Sequence, residues 1–317
     1  MKIAIICSHG GHLTELQYLV ESYNSHDYFF ITYESERTKN IHQKAYLLPN
    51  FGKEPLLVFK EFPRMLKIII KEKPDLIISN GAEIAIPFFY LAKLFRLPTI
   101  FFESYTRVNI PSVTGKLVYP IADNFIVFWS EILKSYGKKA KYWGNLLQLR
   151  PNDQIITKEK NTILVLTGMH YVAFDELIKA IDEIAFHTQE NFLIQIGNSE
   201  CIPKYANYFR FKEYDEIIHL IKKSKLVICQ GAMSAVDSII FGTPTIIIPR
   251  KKNRNEVIND HQVIFGEALE RMGVVKISDF NTLENLLKEK SYSLNYDISI
   301  NPELIQKIQS LLYDLDE

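Results

Sequence analysis

Two glycine turns constrain this chain more than any other feature. Near the start, Ile5-Ile6-Cys7-Ser8-His9-Gly10-Gly11-His12 runs from an apolar strand through a glycine pair into a helical pattern. Past the middle, Leu226-Val227-Ile228-Cys229-Gln230-Gly231-Ala232-Met233-Ser234-Ala235 does the same. One such turn is weak evidence, because any strand-to-helix unit can use glycine to turn tightly. Two in tandem predict an α/β chain of two Rossmann-like domains facing a central cleft. The length of 317 residues fits two cores, since a single core stops growing near about 250–300 residues.

Along the first half, short β-branched or aromatic runs at Lys2–Ser8, Tyr28–Tyr33, Ala45–Leu48, Leu76–Asn80, Thr99–Glu103 and Asn124–Phe128 alternate with stretches long enough for crossover helices. That alternation predicts a parallel sheet covered on both faces. After Tyr142-Trp143-Gly144-Asn145 the pattern lapses through Arg150-Pro151-Asn152-Asp153 and Lys158-Glu159-Lys160, and a fresh strand begins at Thr162–Thr167. The expected organisation is therefore an N-terminal domain over 1–147, a linker over 148–160 and a C-terminal domain over 161–317, whose final helix, Pro302–Leu315, can pack back on the first domain. In the second half, Phe174, Leu177, Ile178, Ile181 and Ala185 form one apolar helical stripe. No repeat is expected beyond the shared architecture of the halves.

Composition narrows the class. With 37 basic and 37 acidic side chains the formal net charge is zero, so no global field favours nucleic acid. Cys7, Cys201 and Cys229 form no paired-cysteine motif and read as buried thiols of a reducing, cytoplasmic compartment. The first strand starts at once, without a secretory leader pattern. No apolar run reaches the roughly 20 residues that span a bilayer, so any membrane contact is peripheral. Two segments fit that role. Leu56–Ile70 interleaves apolar residues with Lys60, Arg64 and Lys67, between Lys53 and Lys71-x-Lys73, and Ile84–Leu97 ends in Lys93 and Arg96. A basic amphipathic helix lies in an anionic interface, and a crossover helix packed on a sheet shows the same periodicity.

Several residues have the chemistry of a transfer site. Gly231, Ala232, Met233, Ser234 and Ala235 follow Gln230 at a helix start, where backbone N–H groups and the positive helix end receive a diphosphate. Asp237, expected in the helix's first turn, is placed to bind ribose hydroxyls. Thr167-Gly168-Met169-His170 ends the first strand of this half, and Arg250-Lys251-Lys252-Asn253-Arg254 follows a later strand. Asp260-His261-Gln262 opens the next helix, with Asp260 and Gln262 suited to sugar hydroxyls. In the first half, Gly10 and Gly11 allow close backbone approach, and His12 can accept a proton from an attacking hydroxyl. Glu103, at the end of an apolar strand beside Ser104 and Arg107, is the alternative base. Ser8, His9 and Glu15 complete the same edge. Metal chemistry is poorly supported, because the only Asp-x-Asp, Asp314-Leu315-Asp316, follows no buried strand. No cofactor is expected.

These residues resemble a known family. Ser8-x-Gly10-Gly11-His12-x-x-Glu15, Phe102-Glu103-Ser104-x-x-Arg107 and Gly115-Lys116-Leu117-x-Tyr119-Pro120-Ile121-Ala122-Asp123 look like the acceptor subunit of the two-subunit N-acetylglucosaminyltransferase that extends lipid-linked oligosaccharides. Thr167-Gly168 with Phe174-Asp175-x-Leu177-Ile178, Gln195-Ile196-Gly197, and Pro249-Arg250 with Glu256 and Asp260-His261-Gln262 look like its donor-binding partner. The pair also occurs in capsule and exopolysaccharide clusters, with MurG-type enzymes as distant single-chain relatives. The likeness covers about residues 1–145 and 161–290. It implies a GT-B fold and an inverting, metal-independent transfer of a hexose or hexuronic acid. The donor is a UDP-sugar, and the acceptor is a polyprenyl-pyrophosphate-linked sugar at the inner face of the cell membrane. The family's donor loop reads His-Gly-Gly-x-Gly-Thr with a later glutamate, whereas this chain has Gln230-Gly231-Ala232-Met233-Ser234-Ala235 and Asp237. Two other readings stand beside this one: a non-hydrolysing UDP-sugar epimerase, and a membrane-bound partner with a degenerate donor loop.

Overall fold

The computed structural model describes residues 1–51, 56–151, 161–168, 172–250, 260–289 and 296–317. Lys53, Met169, His170, Lys251-Lys252-Asn253-Arg254, Glu256 and the stretch 152–160 lie outside the described residues. The chain divides into two units, Met1–Leu147 with Ile300–Glu317, and Gln148–Ser299.

The first unit contains strands β1 (Lys2–Ile6), β2 (Asp27–Tyr33), β3 (Ala45–Leu48), β4 (Leu76–Ser79), β5 (Thr99–Phe102), β6 (Asn124–Val127) and β7 (Ala140–Tyr142). They form one sheet in the order β3-β2-β1-β4-β5-β6-β7, and all the pairings are parallel. Its helices are α1 (Gly11–Tyr18), α2 (Glu36–Lys39), α3 (Leu57–Glu72), α4 (Ala85–Phe95) and α5 (Val113–Val118). Right-handed crossovers put α3, α4 and α5 on one face of such a sheet and α1 on the other. The core agrees. Alternate strand positions Ala4, Ile6, Ile31, Ile77, Phe101 and Phe125 pack with Met65, Ile68, Ile69, Phe88 and Phe89 of α3 and α4, as the period of two along a strand requires. Each such apolar side chain contributes about 1.5–3 kcal/mol on burial.

The second unit has β8 (Leu147–Pro151), β9 (Thr162–Leu166), β10 (Asn191–Gln195), β11 (Asn207–Phe209), β12 (Leu226–Cys229), β13 (Thr245–Ile247), β14 (Lys276–Ile277) and β15 (Tyr296–Ile300), with helices α6 (Asp175–His187), α7 (Tyr214–Lys223), α8 (Ala232–Ile240), α9 (His261–Arg271) and α10 (Leu283–Glu289). Its main sheet runs β11-β10-β9-β12-β13-β14. The predicted stripe on α6 is buried at Phe174, Leu177, Ile178 and Ile181, against Ile163, Val165 and Ile194 of the sheet.

Three expectations need correction. The periodic pattern does not simply lapse after residue 145, because β8 pairs with β15 in a separate two-stranded sheet. Asp237 is the sixth residue of α8, one turn later than expected. The halves also share more than architecture. Leu76-Ile77-Ile78-Ser79-Asn80-Gly81-Ala82 and Leu226-Val227-Ile228-Cys229-Gln230-Gly231-Ala232 both leave the strand beside the sheet's first strand. Both turn through two successive left-handed residues, Gly81 (φ +124°) with Ala82 (+62°) and Gly231 (+98°) with Ala232 (+54°). An alanine is strained in that region, so each turn is held by its surroundings.

The terminal helix α11 (Pro302–Asp316) belongs to the first unit. Asn301 caps it by accepting from the Glu303 N–H at 3.1 Å, with Pro302 in the first turn, the arrangement that suits a missing N–H donor. Asn301 also donates to the Asn145 carbonyl at 3.0 Å, and Gln309 to the Glu21 carbonyl at 3.1 Å. Leu304, Ile305, Ile308 and Leu312 are buried. Replacing Ile308 with alanine is expected to lower unfolding free energy by about 2–4 kcal/mol, measured by urea denaturation; a loss below about 1 kcal/mol would show that α11 contributes little to this core.

Candidate active site

In the first unit the sheet order changes direction between β1 and β4, so the loops leaving them diverge and open a crevice at the carboxyl edge. His12 stands in the first turn of α1, and Asn80 and Gly81 follow β4. The Asn80 amide donates to the His12 carbonyl at 2.9 Å. Gly81 lies under the imidazole, where an added Cβ would sit 3.1 Å from His12 Cε1. On the outer side, Arg37 donates to the Gly10 carbonyl at 3.2 Å, to Thr14 at 2.8 Å and to Gln17 at 3.0 Å. That clamp holds the glycine turn against α1, whose cap residue Gly10 has no side chain to do so. The His9 ring makes an edge contact with Tyr33, whose hydroxyl donates to Glu83 at 2.7 Å. Ser8, His9 and Gly10 are half-buried, and Gly11 is exposed.

From β5 come Glu103, Ser104 and Arg107. Glu103 is 1% exposed. Its carboxylate accepts from the Ser104 N–H at 3.2 Å, the Ser112 N–H at 3.2 Å and the Tyr136 hydroxyl. Burial raises its pKa, opposed by the Tyr136 and Ser112 bonds and by Arg107. Glu15 is wholly buried. It accepts from the Tyr105 N–H at 3.0 Å and the Ser104 hydroxyl at 3.1 Å. Burial pushes Glu15 up to about 8, and the Glu103 charge adds to the rise. Burial, helped by the Arg107 cation, pushes His12 down to about 4. Among the buried polar atoms with no hydrogen-bond partner among the described residues are His12 Nδ1 on α1, Asn80 Oδ1 after β4 and Arg107 Nη1 after β5. Buried polar atoms are normally paired, so this edge has unspent capacity for a polar ligand. Asn80 and Gly81 escaped the sequence reading, although their heptapeptide repeats the donor-like turn of the second half.

In the second unit the same switch point falls between β9 and β12. Thr167 donates to the Gln195 carbonyl at 2.8 Å. Gly168 (φ +79°) lies so close to Gln230 that an added Cβ would be 2.0 Å from its Nε2. Arg250 is only 1% exposed. Its guanidinium donates to Gln230 at 2.6 Å, to the Ala173 carbonyl at 3.1 Å and to the Thr167 carbonyl at 3.5 Å, over the Phe174 ring. It braces the strand ends from a buried position. Gln262 is buried and accepts from the Arg250 N–H at 3.3 Å; His261 is half-buried and Asp260 exposed. Asp237 is buried and accepts from the Tyr214 hydroxyl at 2.9 Å. Gly231 caps α8 with no side-chain hydrogen bond. Met233 is buried, and Ala232 and Ser234 are half-buried at the helix start. No cluster of metal-ligating side chains occurs among the described residues.

The low value for His12 has a direct consequence. Its imidazole is expected to titrate near pH 4 and to be neutral from pH 5.5 upward; an NMR titration of the Cε1 proton checks this, and a midpoint near the ordinary histidine value of about 6.5 would refute the enclosed, cation-flanked environment.

Comparison with known proteins gives two matches in tandem. Residues 54–146 match the family described as oligosaccharide biosynthesis protein Alg14 like, and residues 162–296 match the glycosyltransferase family 28 C-terminal domain. A UDP-N-acetylglucosamine--N-acetylmuramyl-(pentapeptide) pyrophosphoryl-undecaprenol N-acetylglucosamine transferase of Clostridium tetani is 27% identical over 247 residues. That alignment covers 71% of this chain and 65% of the relative, so the chain spans just under two thirds of that relative's length. Among solved structures, Acinetobacter baumannii MurG superposes with a TM-score of 0.59 at 14% identity, covering 98% of this chain and 94% of that one. The Methanocaldococcus jannaschii UDP-GlcNAc 2-epimerase superposes at 0.65 and 14% identity, covering 99% of both chains. The chain has the GT-B fold, an α/β architecture of two Rossmann-like domains with parallel sheets, and it is a glycosyltransferase.

Proposed function

We propose that this chain transfers a sugar from a UDP-sugar to a polyprenyl-pyrophosphate-linked saccharide, with inversion and without a metal, in surface polysaccharide assembly such as capsule or exopolysaccharide. The observation that carries the reading is His12, whose buried Nδ1 has no hydrogen-bond partner among the described residues, beside Asn80 and Arg107 at the carboxyl edge of the first unit. A neutral imidazole accepts the proton of the acceptor hydroxyl as that oxygen bonds to the anomeric carbon. In the same displacement the bond from that carbon to the β-phosphate oxygen breaks, and UDP leaves with the electron pair. A single displacement inverts the anomeric centre. N–H groups at the uncapped start of α8 take up the leaving-group charge. Glu103, with its carboxylate engaged by three donors, holds the loop from Ser104 to Ser112 and leaves the base role to His12. On the donor side the buried Asp237 and Gln262 shape the pocket from beneath, and Gln230, Gly231, Ala232, Met233 and Ser234 supply its edge. Similarity to the 2-epimerase is one of fold, and the two family matches favour transfer over epimerisation.

The test is a radiolabel transfer assay with UDP-N-acetylglucosamine, UDP-galactose and UDP-glucuronic acid and a short polyprenyl-pyrophosphoryl saccharide. A labelled lipid product is expected, reduced about 10²–10⁴-fold in His12→Ala with uridine diphosphate binding retained. No uridine nucleotide binding and no product from any donor would overturn the reading; turnover of donor without acceptor would favour the epimerase.

The acceptor reading includes a membrane-facing surface. Helices α3, α4 and α5 share one face of the first sheet, and each exposes large apolar side chains: Leu56 (79%), just before α3, with Phe59 (78%), then Leu94 (74%), then Val113 (74%). Exposed Lys60, Arg64, Lys67, Lys93, Arg96 and Lys116 surround them. Helices run antiparallel to the strands they connect, so the starts of α3 and α5 lie toward the edge that carries His12. Such a basic, apolar face suits the interface of anionic lipid, at the inner face of the cell membrane. No helix among the described residues is long and apolar enough to cross a membrane. Phe59→Ser with Leu94→Ser is expected to reduce co-sedimentation with phosphatidylglycerol vesicles at least about tenfold; equal pelleting of variant and wild type would remove this face from the reading.

A further inference from the structure

Arg107 differs from the other arginines of the two crevice edges. Arg37 donates to Gly10, Thr14 and Gln17, and Arg250 to Gln230, Ala173 and Thr167. The Arg107 guanidinium makes no hydrogen bond and no ion pair among the described residues, although the residue is half-buried and its Nη1 is buried. Glu103 and Tyr136 lie near enough to feel its charge. The Glu103 carboxylate nevertheless takes its hydrogen bonds from Ser104, Ser112 and Tyr136. A partly desolvated cation with idle donors is costly to a fold. An oxyanion that takes two of its N–H groups compensates it, the geometry in which guanidinium binds carboxylate and phosphate.

The loop that carries Arg107 is pinned on both sides of it. The N–H groups of Ser104 and Ser112 both bond to Glu103, one toward each end of the loop. Glu15 accepts from the Ser104 hydroxyl and the Tyr105 N–H, Trp129 donates to the Tyr105 carbonyl at 2.6 Å, and the Tyr105 hydroxyl donates to Asn145 at 2.7 Å. The Arg107 N–H closes a turn onto the Ser104 carbonyl at 2.8 Å, and the neighbouring Val108 is buried. The backbone is thus ordered before any ligand arrives, which lowers the entropy lost on binding. The loop leaves β5 at the carboxyl edge, and its cation acts on His12.

We propose that Arg107 anchors the pyrophosphate of the lipid-linked acceptor, its guanidinium taking two phosphate oxygens and so setting the sugar hydroxyl against His12. The inference rests on the transfer reading, in which the donor diphosphate lies at the start of α8 in the second unit and the first unit holds the acceptor. A neutral saccharide offers a guanidinium only hydroxyl groups, whose net hydrogen-bond gain is small beside the desolvation of a cation. The pyrophosphate joined to the acceptor sugar is the anion that every such acceptor carries. Selection follows from this: the acceptor is chosen by the charged group that links it to the lipid, and a free saccharide is a poor substrate even with its hydroxyl in reach. Pairing Arg107 with an anion also removes part of the field that, after burial, lowers the His12 pKa, which favours the imidazolium formed as the base takes its proton.

The probe is farnesyl pyrophosphate, which carries the charged group without a sugar or a uridine. It is titrated by calorimetry into the full chain, alongside UDP. Wild type is expected to bind it, Arg107→Gln about 10–100-fold more weakly and Arg107→Lys in between, with one UDP affinity for all three. No binding to wild type, or equal affinity in wild type and Arg107→Gln, would overturn the proposal. So would a loss of UDP affinity with farnesyl pyrophosphate unaffected, which would give Arg107 to the donor. Urea denaturation separates a ligand-binding cation from a brace. Arg250→Gln removes donors to Gln230 and to two carbonyls and should lower the midpoint, whereas Arg107→Gln breaks no side-chain hydrogen bond among the described residues and should stay close to wild type. A drop as large as that of Arg250→Gln would mark Arg107 as a brace and sink the inference. None of these readouts needs transfer, so an assay without labelled product counts against the transfer reading alone. Where product forms, Arg107→Gln should raise the KM of the pyrophosphoryl saccharide by a similar factor and leave the UDP-sugar KM as it is; an unchanged acceptor KM would again overturn the assignment.

Discussion

A parallel sheet delivers the ends of all its strands to one edge, and the point where the chain reverses its order across the sheet is where neighbouring loops must part. In the first unit that point lies between β1 and β4, and in the second between β9 and β12. His12, Asn80 and Gly81 stand at the first of these points, and Thr167, Gly168, Gln230 and Gly231 at the second. The backbone turns sharply at both points: Gly81 and Ala82 in one unit, Gly231 and Ala232 in the other, all at positive φ. Without those turns a Cβ would lie against His12 in the first unit.

Two arginines show how burial sorts similar side chains into different work. Arg250 spends its donors inward, on Gln230 and on two backbone carbonyls, and stacks on Phe174. It holds the ends of β9 and β12 in place. Arg107 balances Glu103 and keeps one buried donor, Nη1, without an acceptor among the described residues. The same low dielectric that makes an unpaired group expensive strengthens the field of Arg107 on its neighbours. Burial, with that field beside it, lowers the His12 pKa, and the same cation opposes the burial that raises Glu103.

The two faces of the first sheet differ in the same physical sense. One carries α3, α4 and α5, whose inner stripes fill the core and whose outer sides keep Phe59, Leu94 and Val113 exposed. The chain's final helix, α11, buries Leu304, Ile308 and Leu312 and ties itself to Asn145 and Glu21. Periodicity announces an apolar stripe in each case. Only packing tells which apolar residues are covered and which are left for another surface.

Much of the architecture was legible in the chain alone, because strands buried on both faces read as continuous apolar runs and crossover helices carry a 3.6-residue stripe. The strands at Leu76 and Leu226 and the α6 stripe were visible for that reason. The short strands Ala140–Tyr142, Asn207–Phe209 and Lys276–Ile277 were not, since two or three residues carry no period. The recurrence of Gly-Ala after matching strands at Gly81 and Gly231 was present in the letters, but its meaning came from the shared left-handed turn. His12, Glu15, Glu103 and Arg107 stood out by residue type at strand ends. Whether each is charged, neutral, paired or left with a buried atom to spare was decided by tertiary structure. Local pattern follows from the chain's own neighbours, whereas protonation and pairing depend on dielectric and on partners from distant segments, such as Ser112, Tyr136 and Asn80, that only the fold brings together.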